Sequence, residues 1–199
     1  DIAERLQSMI PAAHIVLGSI SVFSRRDSLT QITLSKSEIR VMLGAEADAP
    51  ASIKSQLFAA ASDLQDCGID VRLSTHPKEQ LFEKFIQMSP RSAVGVLHNA
   101  MLIKMQTDEE MRSDYEHLLD ELVQLGNAMG VQNNEHYRAK CLDALHRYTP
   151  TQCTSLYRDW TSGARTEAET ILYAPVLLGR QYGLPMPTYQ KVSRLFGYC

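Results

Sequence analysis

Apolar side chains recur every three or four residues between Met111 and Met129, and this spacing constrains the fold more than any other feature. The stripe consists of Met111, Tyr115, Leu118, Leu122, Leu125 and Met129. Residues three or four apart lie on one face of an α-helix, so the pattern predicts a long helix with a buried apolar face. Gly130 follows, and glycine is favoured just past the end of a helix. We therefore predict a helical core built around this segment.

Most of the chain after residue 50 has the same helical periodicity. Helices are predicted over residues 53–66, from about 78 to 88, over 134–148 and over 164–182, with one short strand at 69–73. Pro90 either ends the second helix or only kinks it, because proline lacks the N–H that the helical ladder needs. Pro175 is expected to bend the last helix for the same reason.

The first 45 residues follow a different pattern. Runs at residues 14–23, 31–35 and 39–43 are rich in β-branched or alternating apolar residues, which is typical of strands. The small, polar stretch at 45–50 predicts a linker. Strands, a linker and then helices indicate the end of an α/β domain followed by an all-α domain. We place the boundary between residues 46 and 47, which gives domains over 1–46 and 47–199.

Composition and spacing exclude several classes of function. The net charge is −3 and the basic residues are scattered, which argues against nucleic-acid binding. No apolar run approaches the ~18–20 residues that span a bilayer. The four cysteines form no CxxC pair, and the six histidines form no HxH or HxxxH pair, so no metal site is predicted. Unpaired cysteines and the lack of a signal-peptide pattern lead us to expect a reduced, cytoplasmic setting.

Three polar residues with an unusual spacing follow residue 150. Ser155 precedes a predicted short helix, so its hydroxyl and the free N–H groups after it could hold an anion; alternatively it is only a helix cap, with Thr154 an equal competitor. Asp159 either orients Ser155 or Arg158 or caps the next helix. Glu167 falls in the first turn of the last long helix, where the helix dipole stabilises a carboxylate in any case.

Lys84 stands out as a lysine in an apolar setting. It lies in the mostly apolar stretch Leu81-Phe82-Glu83-Lys84-Phe85-Ile86, at the start of a predicted helix. Lysines that are partly removed from water can act as acids near neutral pH. The alternative is a surface lysine that pairs with Glu83 or Glu79.

The passage from Ser155 to Glu167, with the apolar helix that stops at Gly183-Leu184-Pro185-Met186-Pro187, resembles the C-terminal signature of the ketopantoate reductase (2-dehydropantoate 2-reductase) family. The resemblance extends from about residue 50 to 196. It implies a mainly α fold, with an all-helical C-terminal domain of the 6-phosphogluconate-dehydrogenase-like type. Residues 1 to about 45 resemble the closing strands of an incomplete Rossmann-type α/β domain.

The same resemblance implies a function and a role for each candidate residue. The chain is expected to be the C-terminal part of an NADPH-dependent reductase of a small 2-keto acid, in the manner of the step from ketopantoate to pantoate. Lys84 and Glu167 would be catalytic, and Ser155, Asp159 and Ser92 would bind substrate. A homodimer formed through the helical domain is also implied. The alternative is a non-catalytic dimerisation or interaction module that kept the helical fold.

The chain departs from the family pattern on the helix that carries Lys84. The family usually has asparagines four and eight residues after the lysine, where this chain has Met88 and Ser92. Methionine cannot donate a hydrogen bond, and serine has a shorter reach than asparagine. Substrate groups left unpaired cost about 1–3 kcal/mol each. The identity of the keto acid therefore stays open.

The 199 residues contain no GxGxxG motif, which in dinucleotide-binding domains follows a strand and seats the pyrophosphate on a helix N-terminus. We therefore expect the chain to be an incomplete fragment that binds NADPH weakly and turns over little by itself. We also predict that Lys84, Ser155 and Glu167 converge on one cleft.

Overall fold

The computed structural model describes residues 6, 8–11, 14–22, 24–34, 39–45 and 49–199. Its contacts group into two compact units, Asp1–Leu81 and Phe82–Cys199. This division into units reflects packing alone. The predicted boundary between residues 46 and 47 is a functional one, which separates a nucleotide-binding from a substrate-binding domain. That functional division stays a prediction.

The first unit contains a small mixed sheet and one long helix. Strands β1 (Leu17–Ser21), β4 (Arg40–Gly44) and β5 (Asp70–Ser74) form a sheet in the order β1-β4-β5, while β2 (Ser24–Arg26) and β3 (Ile32–Leu34) form a separate antiparallel pair. β1 is antiparallel to β4 and β4 is parallel to β5. Helix α1 (Ala51–Asp66) connects the two parallel strands, as a parallel pair requires.

The strand predictions are confirmed where the structure describes the chain. The predicted strands at 39–43 and 69–73 correspond to β4 and β5, and β1 and β3 lie inside the other two predicted runs. β2 was not predicted as a separate strand. Residues 23 and 35, at the ends of two predicted strands, and residues 46–48 of the predicted linker lie outside the described residues.

The second unit is helical. Helix α2 (Pro77–Leu97) starts in the first unit and continues into the second. It is followed by α3 (Glu109–Ala128), α4 (Asn134–Asp143), α5 (Ser155–Thr161), a π-helical turn (Glu169–Tyr173) that leads into α6 (Ala174–Gln181), and α7 (Pro187–Ser193). Short 3₁₀ turns cover Leu102–Gln106, Ala144–Arg147 and Arg194–Phe196. The mainly α fold with a few preceding strands is thus confirmed.

Helix α3 lies in the core, as its apolar stripe predicts. Met111, Tyr115, Leu118, Leu122 and Leu125 are all 0% exposed. Asp108 caps the helix start, where its side chain accepts a hydrogen bond from Met111 N at 3.0 Å. The inclusion of Met129 in the buried stripe was wrong, because this residue lies just past the helix and is 38% exposed.

Two other helices differ from their predicted limits. Pro90 does not end α2, which continues for seven more residues to Leu97. The last long helix was predicted from residue 164 but begins at 168, because Gly163 takes a left-handed φ of +72° after α5 and residues 164–167 form no regular secondary structure. Helix α7 was not predicted, although Pro187 stands at its first position, where proline is favoured.

Candidate functional site

Helix α2 carries Lys84, Met88 and Ser92, which lie along one side of the helix because they are four residues apart. Lys84 and Met88 are half-buried, and Ser92 is 1% exposed. Gly95 continues the same side, and a Cβ added there would lie 3.8 Å from Cδ2 of Tyr157. The side of α2 that carries Lys84 therefore meets the first turn of α5 at its C-terminal half.

Glu83, one of the two partners considered for Lys84, is engaged with other residues. Its Oε1 accepts hydrogen bonds from Gln87 Nε2 and from Lys140 Nζ, each at 3.3 Å. Lys140 belongs to α4, so this carboxylate links α2 to α4. The half-burial of Lys84 also differs from what a fully solvated surface lysine would show.

Helix α5 places Ser155 at its first position, exposed to solvent. The cap is Thr154, whose Oγ1 accepts a hydrogen bond from Tyr157 N at 3.3 Å. The capping role considered for Ser155 therefore falls to Thr154. Asp159 lies half-buried near the end of α5, and its carbonyl accepts from Ser162 Oγ at 3.0 Å and from Ala164 N at 2.8 Å.

Glu167 is exposed and lies directly before the last long helix, not inside its first turn as predicted. Its carbonyl accepts hydrogen bonds from Thr170 N at 3.1 Å and Ile171 N at 3.0 Å, which start the helix. The difference arises because the helix begins four residues later than predicted. Glu167 therefore directly precedes a helix start, where the first N–H groups have no partner within the helix.

The turn after Glu167 is π-helical, and Pro175 gives the physical reason. Proline has no N–H, so Ile171 O cannot receive its usual donor from four residues ahead. The helix widens over Glu169–Tyr173, where Ala174 N donates to Glu169 O, five residues earlier. Side chains fill the gap, since Ile171 O accepts from Ser89 Oγ at 2.7 Å.

Ser89 also contacts Tyr189, at 2.7 Å between the two hydroxyl oxygens, and both residues are 0% exposed. A carbonyl only accepts, so the Ser89 hydrogen points to Ile171 and Tyr189 must donate to Ser89 Oγ. Burial raises the pKa of Tyr189 well above its ordinary range, which keeps its proton in place. Sequence reasoning missed this junction; the available signal was a proline four residues after Ile171.

Glu121 holds the other end of Tyr189. This carboxylate on α3 is 7% exposed, and it accepts from Thr188 N at 2.7 Å and Tyr189 N at 3.1 Å, in the first turn of α7. Burial raises the pKa of Glu121, and the hydrogen bonds from Thr188 and Tyr189 oppose that rise. Sequence reasoning missed Glu121 as well, although it is three residues after Leu118 on the buried side of α3.

Two of the depressions on the second unit are lined by residues other than Lys84, Ser155 and Glu167. One of about 390 Å³ lies between α3 and α7, over Glu121 and Thr188. The other, of about 190 Å³, lies near the last residues. Among the described residues no group of three or more His, Cys, Asp or Glu side chains is placed to hold a metal ion. The convergence of Lys84, Ser155 and Glu167 stays a prediction.

The structure has a helical unit preceded by a small sheet. A lysine lies on its long helix α2, and a serine and a glutamate lie at two later helix starts. These features agree with the family suggested by the sequence. The family described as "Ketopantoate reductase PanE/ApbA C terminal" matches residues 78–197, more than half of the chain. The chain therefore belongs to the ketopantoate reductase family of oxidoreductases, as its C-terminal domain. Within the described residues, no helix is long and apolar enough to cross a membrane.

Solved structures share this fold at low sequence identity. D-mandelate dehydrogenase with NADH and anilino(oxo)acetate is 14% identical, with a TM-score of 0.83 over 99% of this chain and 63% of that chain. The 2-dehydropantoate 2-reductase from Methylococcus capsulatus is 21% identical, with a TM-score of 0.81 over 99% and 66%. That from Porphyromonas gingivalis W83 is 19% identical, with a TM-score of 0.78 over 100% and 60%. The chain thus spans less than two thirds of the length of these proteins. No curated protein matches significantly.

Proposed function

We propose that this chain is the substrate-binding and dimerisation part of a nicotinamide-dependent reductase of a small 2-keto acid. NADPH is the proposed cofactor, and ketopantoate, whose reduction to pantoate serves pantothenate synthesis, is the first candidate substrate. The observation that carries the proposal is the family match over residues 78–197, which includes every candidate residue. We further propose a cytoplasmic setting.

Each candidate side chain has a task in that reaction. The nicotinamide, when bound, supplies the hydride to the carbonyl carbon. Lys84 protonates the carbonyl oxygen as negative charge develops there. Ser155 holds the substrate carboxylate with its exposed hydroxyl, beside the open N–H groups of the α5 start. Glu167 pairs with Lys84 or with the substrate hydroxyl, and Asp159 and Ser92 complete the polar surroundings of the substrate.

Two structural features support this assignment. Lys84 is half-buried on α2, which suits a proton donor that is partly shielded from water. The same side of α2 meets α5 at Gly95 and Tyr157, and Tyr157 is two residues from Ser155. Both features lie within the single compact unit that also contains Glu167.

A second candidate function is a non-catalytic dimerisation or interaction module. It is favoured by Met88, which replaces a donor, and by the 1% exposure of Ser92, which leaves its hydroxyl little access to a ligand. Dimerisation is common to both candidates, and a solved ketopantoate reductase from Staphylococcus aureus with the same fold (16% identity, TM-score 0.79) is described as dimeric. Light scattering would test for a homodimer of this chain.

The two candidates are separated by turnover. The intact polypeptide that contains this sequence should oxidise NADPH in the presence of ketopantoate, 2-ketoisovalerate or phenylglyoxylate. Lys84→Ala should lower kcat/KM by about 10²- to 10⁴-fold, the usual range for general acid catalysis. Lys104→Ala, at an exposed lysine of a 3₁₀ turn, is the matched control and should leave it unchanged. A stable dimer that turns over none of these acids would favour the second candidate.

The cofactor proposal has its own test with the 199-residue chain alone. Calorimetry should detect no NADPH binding at micromolar concentrations, because the sequence contains no glycine-rich turn for the pyrophosphate. Tight, saturable binding would show that these residues build a complete nucleotide site. Turnover of the intact polypeptide with NADPH and with NADH tests the choice between the two nicotinamide cofactors.

A further inference from the structure

We propose that Ser89 and Tyr189 are positioning residues of the reductase, which hold the helix that carries Lys84 against the turn that follows Glu167. This inference rests on the proposed function. Neither residue belongs to the polar set of candidate site residues, and both are 0% exposed. Their effect on the reaction would therefore act through Lys84 and Glu167.

The junction connects the two candidate catalytic residues through helix α2 and two hydrogen bonds, and Tyr189 adds a third bond to Ser89. Tyr189 donates to Ser89 Oγ, and Ser89 donates to Ile171 O, each at 2.7 Å. Ile171 N in turn donates to Glu167 O at 3.0 Å. Ser89 lies five residues after Lys84 on the same continuous helix, which is about 7.5 Å along its axis. The path from Lys84 to Glu167 is thus one rigid helix and two hydrogen bonds.

The Ile171 carbonyl is available for this purpose because of Pro175. In an uninterrupted helix it would accept from the N–H four residues ahead, and a side chain from another helix would have no role there. The π-turn and the buried hydroxyl together replace the missing donor. The hydrogen-bond register of the turn after Glu167 therefore depends on Ser89 of α2 as well as on the residues of the turn and of α6.

Glu121 fixes the remaining member of the junction. Its two carboxylate oxygens accept from the Thr188 and Tyr189 backbone N–H groups, so the first turn of α7 is tied to α3. The Tyr189 backbone is thus held by α3, and its hydroxyl lies 2.7 Å from Ser89 Oγ. The two buried hydroxyls therefore connect α2 both to the π-turn, through Ser89 and Ile171 O, and to α7, through Tyr189.

The π-turn offers a matched control at the residue next to Ile171, because the carbonyl of Leu172 also accepts a hydrogen bond from a buried serine. Ser193 on α7 is also 1% exposed, and its Oγ donates to Leu172 O at 3.2 Å. Ser193→Ala therefore removes the same kind of hydrogen bond, from a buried serine to the same turn, but it leaves α2 connected. Comparison of Ser89→Ala with Ser193→Ala separates loss of positioning from loss of stability.

The test is steady-state kinetics of the intact polypeptide with its best 2-keto acid. Ser89→Ala should lower kcat about 10- to 100-fold with KM within about twofold, because small misplacements of reacting groups cost rate more than binding. Ser193→Ala should keep kcat within about twofold of wild type. Ser89→Thr, which retains the hydroxyl, should restore most of the lost kcat.

A second variant covers the case in which Ser89→Ala does not fold. Tyr189→Phe keeps the ring and the hydrogen bond from Ser89 to Ile171 O, and removes only the hydrogen bond from Tyr189 to Ser89. It should therefore have a smaller effect than Ser89→Ala and lower kcat by about threefold or more. Equal kcat values for the wild type, Tyr189→Phe and any folded Ser89→Ala would overturn the positioning role alone. Absence of turnover in the wild type with every keto acid would overturn the proposed function and this inference together.

Discussion

Helix α2 and helix α6 are both affected by an internal proline, yet the two sites differ. In α2, Pro90 lies inside a continuous helix, and Ile86 O, four residues earlier, accepts from Cys141 Sγ at 3.8 Å. A thiol is a weak donor. The helix continues through Pro90 although the thiol replaces the missing N–H only weakly, and Ser89, Ser92 and Ala93 beside the proline are buried in the core.

At the start of α6 the corresponding donor is stronger. Ile171 O, four residues before Pro175, accepts from Ser89 Oγ at 2.7 Å, and the helix changes to a π-turn. A proline therefore does not determine the local structure by itself. Where packing supports the helix it stays α-helical, and where a buried hydroxyl supplies the donor the register shifts around that hydroxyl. Removal of the side-chain donor should therefore destabilise the protein at the Pro175 site more than at the Pro90 site.

The largest loss of stability is expected when an apolar core side chain is truncated. Leu122→Ala in α3, at a residue that is 0% exposed, should lower the free energy of unfolding by about 2–5 kcal/mol. Leu177→Ala is the control, because Leu177 is 43% exposed, and it should change that free energy by less than about 0.5 kcal/mol. Denaturant unfolding measures both. Equal effects would mean that the α3 stripe does not form the core.

The hydroxyl junction should give the next largest effect. Ser89→Ala leaves Ile171 O and the Tyr189 hydroxyl buried without a partner, and should cost about 2 kcal/mol or more, since each unpaired group costs ~1–3 kcal/mol. Ser193→Ala removes only the hydrogen bond to Leu172 O and should cost less. An unchanged unfolding curve for Ser89→Ala would show that the hydroxyl is not needed at Pro175.

The thiol junction should tolerate substitution better. Cys141→Ala removes a weak donor at 3.8 Å and one buried sulfur, and should cost about 1 kcal/mol or less. The same denaturant titration compares it directly with Ser89→Ala. If Cys141→Ala proves as costly, the contrast between the two proline sites fails.

The smallest effect concerns pH and the residue that anchors Tyr189. Burial raises the pKa of Glu121, so the folded protein binds its proton more tightly than the unfolded chain does. The stability that Glu121 contributes is therefore present below about pH 4.3, the ordinary pKa of a glutamate, and is lost as pH rises through the raised folded-state value. Glu121→Gln should remove this component, so the difference in unfolding free energy between variant and wild type should change with pH across that window. A constant difference at all pH values would contradict the raised pKa.

Local sequence patterns predicted the elements whose stability is local or depends on one apolar face. The stripe from Met111 to Leu125 fixed α3, because period and burial coincide along one helix. Runs of β-branched residues predicted β4 and β5, and the spacing of Ser155, Asp159 and Glu167 indicated the family that the match over residues 78–197 shows. These features require no knowledge of a distant partner.

Short-range periodicity and spacing were enough to predict most of the strands and helices, the core helix and the family. The folded structure was needed to show that Thr154 and not Ser155 caps α5, that Glu167 precedes its helix, and that Pro175 is accompanied by a π-turn. The donor to Ile171 O comes from Ser89, 82 residues earlier, and no local pattern predicts which distant hydroxyl will reach a carbonyl. A buried polar group must find its partner wherever the fold places one, and this requirement is satisfied in three dimensions rather than along the chain.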